Sequence, residues 1–380
     1  PVLNSTPQDA QRLCKRLLEQ LVWLLGHISD APTVAQLLSK LGILSTDGAS
    51  SMTGIHKGFG ATLKKAGAGL GSLVQFVDVG HECESSAKTS SNGHPYHTSF
   101  MAVTADLCRM MRKSNILAEQ VGVLMEVEGE QAATWGGHVM QRWVEPTLRL
   151  LEAVQHNIPK TVVVLEAKIT TLKDAIRNSC KRKRSQNNDS KAQTERKKLL
   201  NRFENVHKHL TSVGYHLYLT SLQDILSSVK VLSLEGQQRD ACASRVCWSL
   251  DEVRKQLEGY ANGTKGPYER YFRNALKIVD QKAQLGQLEF KMVGYKEAAA
   301  AKTAFCKALL SQFDVRLQNP AYVYLQVADF RRWEGPDVCS TEVDNVVATE
   351  KAFQGAVPLI AGAHTHFGLA KKIFFLIPEK

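Results

Sequence analysis

The chain has 380 residues, of which 43% are hydrophobic and 22% are charged; these values are typical of globular proteins and exclude a chain that is disordered throughout. The formal net charge is +11, which favours a polyanionic partner, because Lys and Arg neutralise phosphates and release their counterions. The sequence has no charged leader before an apolar core and no apolar stretch of about 18 residues, so we expect an intracellular protein without a membrane span.

The first 100 residues predict a mixed α/β segment. An amphipathic helix is predicted over residues 9–25, where leucines recur at helical spacing. Residues 42–45 form a short apolar run and residues 72–80 are rich in Val and Phe, and both patterns are typical of strands. A helix over residues 55–66 separates the two, and this order predicts an α/β sheet. Residues 84–98 are polar and turn-forming, which predicts a loop.

Nearly all of the rest of the chain has helical periodicity. A long helix is predicted to begin near Trp143, with Pro146 tolerated in its first turn. Two amphipathic helices are predicted over residues 218–260, and an Ala-rich helix over residues 294–312. The chain is thus expected to have three parts: residues 1–100, a helical domain over residues 101–335, and a C-terminal segment of uncertain fold, residues 336–380.

The positive charge is concentrated in one segment, residues 173–208. It holds twelve Lys and Arg against four Asp and Glu, a net +8 of the total +11. Its centre is a predicted basic loop, residues 178–198, which contains the run KRKR at 181–184. A solvated loop, a nuclear import signal and a phosphate contact are all open interpretations. No aromatic residues are interleaved to stack on bases, which favours import over nucleic-acid contact.

Asp47 is the candidate catalytic carboxylate. It follows the first predicted strand, and the carboxyl ends of strands are where ligands bind in open α/β sheets. Asp is equally common as the N-cap of a following helix. A two-metal site for phosphoryl transfer needs carboxylates from separate strands. Asp47 by itself therefore predicts a helix cap.

A second group of candidate ligands is His81, Cys83, His94 and His97. Their spacing matches no Cys-x-x-Cys clip of a zinc finger, so we interpret them as loop residues without a metal. The chain has no P-loop, GxGxxG or nucleophile elbow, and we predict neither a nucleotide-binding fold nor a hydrolase.

Eight stretches occur in a suggestive order: LSTDGASSMTGIHKGFGATLKK, FVDVGHE, QRWVEPTLRLLEAVQHNIPKTVVVLE, LYLTSLQDILSSVKVLSLEGQQRD, YFRNAL, LEFKMV, FDVRL and ADFRRWEGPD. In sequence and in order they resemble the hAT-type transposases, and especially the host-domesticated, zinc-finger-type proteins derived from them. The resemblance covers roughly residues 9–337. It implies a mixed α/β, predominantly helical fold, in which a large all-α insertion domain interrupts a partial RNase H-like core.

The resemblance also implies roles for individual residues. Asp47 matches the second carboxylate of the family's catalytic DDE set, and Arg142 with Trp143 matches the RW pair near the start of the insertion. The upstream Asp and the downstream Glu have no match, the His-Cys-x-x-His element is reduced to residues 81–83, and the DNA-binding zinc finger has no counterpart. One carboxylate cannot position both the attacking and the leaving oxygen. The resemblance thus implies an ancestral but inactive Asp47 and no enzyme.

The prediction is a domesticated, transposase-derived nuclear protein that binds DNA or protein partners and needs no cofactor or metal. The predicted DNA-binding residues are Arg142, Lys181, Arg182, Lys183, Arg184, Arg196, Lys197 and Lys198. Two alternatives stay open. One is an active, Mg²⁺-dependent transposase or nuclease whose remaining carboxylates lie outside this chain; the first residue, Pro1, suggests a piece of a longer protein. The other is a protein scaffold that self-associates, with the basic loop serving only for import.

Overall fold

The structure, a computed structural model, describes residues 10–27, 33, 36, 43–46, 59–66, 74–77, 79–135, 143–182, 190–237, 243–279, 282–286 and 288–317. These residues are predominantly helical, as the sequence predicted. They fall into two compact units. The first takes its described residues from Pro1–Glu82 and Ser233–Trp248, and the second from Cys83–Leu232 and Ser249–Leu317.

The first unit contains the predicted strand, helix and strand. Its elements are α1 (Ala10–Leu25), β1 (Ile43–Thr46), α2 (Phe59–Ala66) and β2 (Val74–Val77). The strands pair in parallel, with Ile43 opposite Val74, and α1 packs on α2 around the buried Cys14 and Leu63. The predicted order of strand, helix and strand is therefore confirmed, although residues 79 and 80, predicted as the end of the second strand, belong to the following helix. Many α/β folds contain such a parallel pair, so the RNase H-like core stays a prediction.

The remaining helices lie wholly or mostly in the second unit. They are α3 (Val79–Ser91), α4 (Pro95–Lys113), α5 (Asn115–Val127), α6 (Val144–Arg182), α7 (Ser190–Leu210), α8 (Val213–Gln237), α9 (Ala243–Ala261), α10 (Pro267–Ala275) and α11 (Tyr295–Arg316). The helices predicted from Trp143 onward, over residues 218–260 and over residues 294–312 are confirmed as α6, α8 with α9, and α11. None of the helices among the described residues is long and apolar enough to cross a bilayer.

Helix α8 lies at the centre of the second unit. The sequence predicted an amphipathic helix, but α8 is buried on all sides over residues 213–226, although this stretch includes polar side chains such as His216, Thr220 and Asp224. Its two tyrosines form hydrogen bonds to α4, Tyr215 with Thr104 at 2.8 Å and Tyr218 with His97 at 2.8 Å. The core of this unit therefore contains satisfied polar side chains as well as apolar ones.

The loop predicted over residues 84–98 is wrong. Helix α3 continues to Ser91 and α4 begins at Pro95, so only a short turn separates them. Small side chains such as Ala87 are buried in α3, and Ser90 satisfies its hydroxyl by donating to the carbonyl of Ser86 at 2.8 Å. Serine is polar enough to suggest a loop, but here the helix itself supplies its hydrogen-bond partner.

A small sheet corrects the prediction of an all-α domain. Strands β3 (Lys277–Val279), β4 (Lys282–Leu285) and β5 (Leu288–Phe290) pair antiparallel in the order β3-β4-β5. Phe290 is buried and meets the ring of His216 edge-on at 4.6 Å. Strands of three or four residues are too short to show an alternating pattern, so the sequence contained little signal for them.

Candidate nucleic-acid interface

Helices α6 and α7 form an antiparallel hairpin that carries most of the basic segment. Two polar pairs join them: Lys173 with Glu204 at 2.8 Å, and Glu166 with His207 at 3.0 Å. Apolar stripes on both helices are buried, including Ile169 on α6. The hairpin thus holds its charges on a packed scaffold, because each helix has one buried side.

An arginine fixes the hairpin to a third helix. Arg202 of α7 binds Asp106 of α4 through two parallel hydrogen bonds, Nε to Oδ2 at 2.8 Å and Nη2 to Oδ1 at 2.6 Å. These hydrogen bonds raise the pKa of the Arg202 guanidinium. A bidentate arginine–carboxylate pair fixes the relative orientation of the two side chains as well as pairing their charges. It orients α7, and it occupies Arg202, which is therefore not a candidate phosphate contact.

The outer side of α7 carries cations and amides, which we call the basic face: Lys197, Lys198, Asn201, Asn205 and Lys208. All five side chains are exposed. Spacings of about four residues align them along one side of the helix. Lys198 pairs with Glu195 at 3.2 Å, but Lys197 and Lys208 form no ion pair with any residue that the structure describes. The basic face therefore offers two uncompensated charges with hydrogen-bond donors between them.

The structure describes five of the eight predicted DNA-binding residues. Arg196, Lys197 and Lys198 lie on the exposed part of α7, and Lys181 and Arg182 belong to the last turn of α6. The remaining predicted residues, Lys183, Arg184 and Arg142, lie outside the described residues.

The loop predicted over residues 178–198 is wrong at both ends, because α6 reaches Arg182 and α7 begins at Ser190; residues 183–189 lie outside the described residues. The residues that start α7 include several good helix formers, among them Ala, Gln, Glu, Arg and Lys, without Gly or Pro. The basic run at 196–198 is thus held on a helix. Sequence reasoning missed Asn201, Asn205 and Lys208, although their helical spacing from Lys197 was a usable signal.

Asp47 lies outside the described residues, and its role stays a prediction. Strand β1 ends at Thr46, the residue before it, so the predicted position after a strand is confirmed. Trp143, the second residue of the RW pair, is buried. The amides of Trp143 and Val144 donate to Glu84 Oε2 at 2.6 and 2.7 Å. These bonds cap the start of α6, because a carboxylate satisfies amides that have no helical partner.

Two of the histidines considered as ligands, His94 and His97, have structural roles. His94 is the N-cap of α4 and accepts from the amide of Tyr96 at 3.2 Å. His97 is buried and stacks on Phe305, with 5.4 Å between ring centroids, and burial lowers its pKa to about 4. Within the described part of the chain, no group of three or more His, Cys, Asp or Glu side chains is arranged to hold a metal ion.

No known family model matches the chain, and no curated protein or solved structure shows significant similarity to it. The resemblance to hAT-type transposases therefore stays a prediction from the sequence motifs.

Proposed function

We propose that this chain binds DNA through the basic face of α7, as a transposase-derived nuclear protein that does not cut DNA. The observation that carries the proposal is the pair of uncompensated cations, Lys197 and Lys208, on a helix held in place by α4 and α6. Lys binds phosphates as a point charge, and Asn amides donate to phosphate oxygens. The surrounding segment, residues 173–208, supplies a net +8.

The size of the basic face suits a DNA backbone. Lys197 and Lys208 are separated by about 16 Å along the axis, at about 1.5 Å per residue. At about 3.4 Å of axis per phosphate of one strand, this distance corresponds to roughly five phosphates. Contacts of this kind set position rather than read bases. We therefore propose binding that depends little on DNA sequence.

The proposed lack of cleavage rests on the carboxylates. Asp47 is the only residue that matches the family's catalytic set, and one carboxylate cannot hold both metal ions of a phosphoryl-transfer site. Nuclear localisation rests on the basic run at 181–184, which resembles an import signal.

The test is binding of the purified chain to a fluorescent DNA duplex at about 50 and 200 mM salt, because phosphate contacts weaken steeply with salt. The variant is Lys197→Gln with Lys208→Gln. The matched control is Lys296→Gln with Lys307→Gln, two exposed lysines of α11. Loss of two phosphate contacts is expected to reduce the log–log salt slope by about 1.8. An unchanged slope, or an equal loss in the control, would contradict the assignment to α7.

The same samples test the other two functions. Magnesium-dependent cleavage that Asp47→Ala abolishes would overturn the proposed inactivity. A chain that binds no duplex at about 50 mM salt, where phosphate contacts are strong, would instead support the scaffold alternative.

A further inference from the structure

Helix α5 is apolar on two sides. Its inner side, with Leu117, Val121 and Met125, is buried. Its outer side carries Ile116, Val123 and Val127, whose side chains are 63%, 53% and 80% exposed. Single exposed apolar residues are ordinary, but several aligned on one face mark interaction sites.

The outer residues have the spacing of a helix-binding stripe. With Gln120 they occupy intervals of four, three and four residues, the alternation that faces a partner helix in coiled coils. We call Ile116, Gln120, Val123 and Val127 the α5 surface. It spans about three helical turns, a length that a short helix can cover.

Carboxylates border the α5 surface. Glu119 and Glu126, seven residues apart, lie along the same side of the apolar stripe, and Glu130 follows it; all three are exposed and meet no cation among the described residues. Helix α5 contains no Lys or Arg. The chain as a whole has a net charge of +11, but the border of the α5 surface is negative. This border is electrostatically complementary to a cationic partner.

We infer that the α5 surface binds a basic amphipathic helix of a partner protein. Apolar side chains of that helix would cover the stripe, and its Lys or Arg would meet Glu119 and Glu126. Laying an amphipathic helix on an apolar surface is a common mode of recognition. Two copies of α5 face to face would oppose their carboxylates, so a second copy of this chain fits less well. The acidic border likewise repels DNA, which makes this surface distinct from the basic face.

The experiment uses two synthetic helical peptides as probes, each of about five turns. The basic peptide has Leu along one stripe with Lys and Arg on both sides, and the acidic twin has Glu at every Lys and Arg position. Binding of the full chain is measured by fluorescence anisotropy. The basic peptide is expected to bind at least roughly tenfold more tightly, because its charges complement the border.

Charge reversal is the decisive arm. Glu119→Lys with Glu126→Lys is expected to reverse the preference, so that the acidic twin binds more tightly. The matched control, Glu258→Lys with Glu297→Lys, changes two exposed carboxylates elsewhere and should leave the preference intact. If the reversed variant still prefers the basic peptide, or the control changes as much, the inference is wrong.

A second arm tests the apolar stripe. Val127→Ser is compared with Val315→Ser on α11, since these valines are 80% and 78% exposed. Only Val127→Ser should weaken peptide binding, by roughly fivefold to tenfold, because a hydroxyl replaces two methyl groups that the peptide would partly cover. Sedimentation of the chain alone tests the remaining occupant. Self-association that Val127→Ser abolishes would assign the surface to a second copy and overturn the inference.

Discussion

Replacing Lys302 with Met is expected to destabilise the second unit strongly. Lys302 Nζ donates to Glu269 Oε2 at 2.7 Å and to the carbonyl of Thr264 at 2.7 Å. Glu269 is 2% exposed and Lys302 is 6% exposed. Met has a similar length and a good helix propensity, so the substitution removes the charge and its hydrogen bonds with little change in packing. What remains is a buried carboxylate with one cation fewer.

The free energy of unfolding that Lys302→Met removes is expected to lie at the lower end of the range for broken buried ion pairs. Breaking a buried ion pair costs about 3–5 kcal/mol. Glu269 keeps two partners, Arg273 Nε at 2.7 Å and Ser221 Oγ at 3.2 Å, so we expect a loss of about 3 kcal/mol in the free energy of unfolding. Lys198→Met removes an exposed pair with Glu195 and should cost less than about 0.5 kcal/mol. Urea unfolding at pH 7 measures both.

The pH dependence provides a second criterion. Desolvation raises the pKa of Glu269, but hydrogen bonds and charge from Lys302 and Arg273 outweigh it, and the pKa is lowered overall. A lowered carboxyl pKa stabilises the fold above the unfolded value of about 4.3, and this contribution is lost as the pH falls through the folded pKa. Without Lys302 the pKa rises, so protonation of Glu269 should relieve the variant at acidic pH.

The difference between Lys302→Met and the parent chain should therefore be smaller at pH 5 than at pH 7. A difference that grows on acidification would refute the reasoning, as would a loss at pH 7 no larger than that of Lys198→Met.

Two further predictions concern other parts of the second unit. A Cβ added at Gly214 would lie 2.4 Å from the carbonyl carbon and oxygen of Gly294, so Gly214→Ala should lower the free energy of unfolding in urea by about 3 kcal/mol. The control, Gly122→Ala, has open space around its Cβ and should be neutral or stabilising. Similar losses in the two variants would exclude the close approach to Gly294 as the cause. Burial lowers the pKa values of His97 and His216 to about 4, so the unfolded chain binds more protons and stability should fall as the pH drops from about 6.5 to 4. His216→Phe should reduce this slope by about 1.4 kcal/mol per pH unit near pH 5, and an unchanged slope would contradict burial of a neutral imidazole.

Sequence patterns were reliable where an element was long or had a clear terminus. The repeat of apolar residues predicted α6, and Pro146 near its start marked where it begins. The two short strands β1 and β2 were recognised because apolar runs stood on both sides of a helix. Serine-rich α3 and the strands β3–β5 were missed, because polar composition and very short length remove the periodicity on which such predictions depend.

The candidate interface was also predicted only in part from the sequence. Composition located the charge in residues 173–208, including Lys197 and Lys198. It could not separate Arg202 from them, because Asp106, which neutralises Arg202, is 96 residues away in the chain. It also did not place Asn201 and Asn205 beside Lys197 and Lys208, since a loop was predicted where α7 begins.

The sequence by itself therefore determined the amount of positive charge, the segment that carries it and the helical character of the chain. These properties depend on composition and local periodicity. The tertiary structure decided which cations are uncompensated on α7 and which apolar residues of α5 are exposed. Ion pairing and burial are set by residues distant in sequence, whose positions become defined only when the helices pack together.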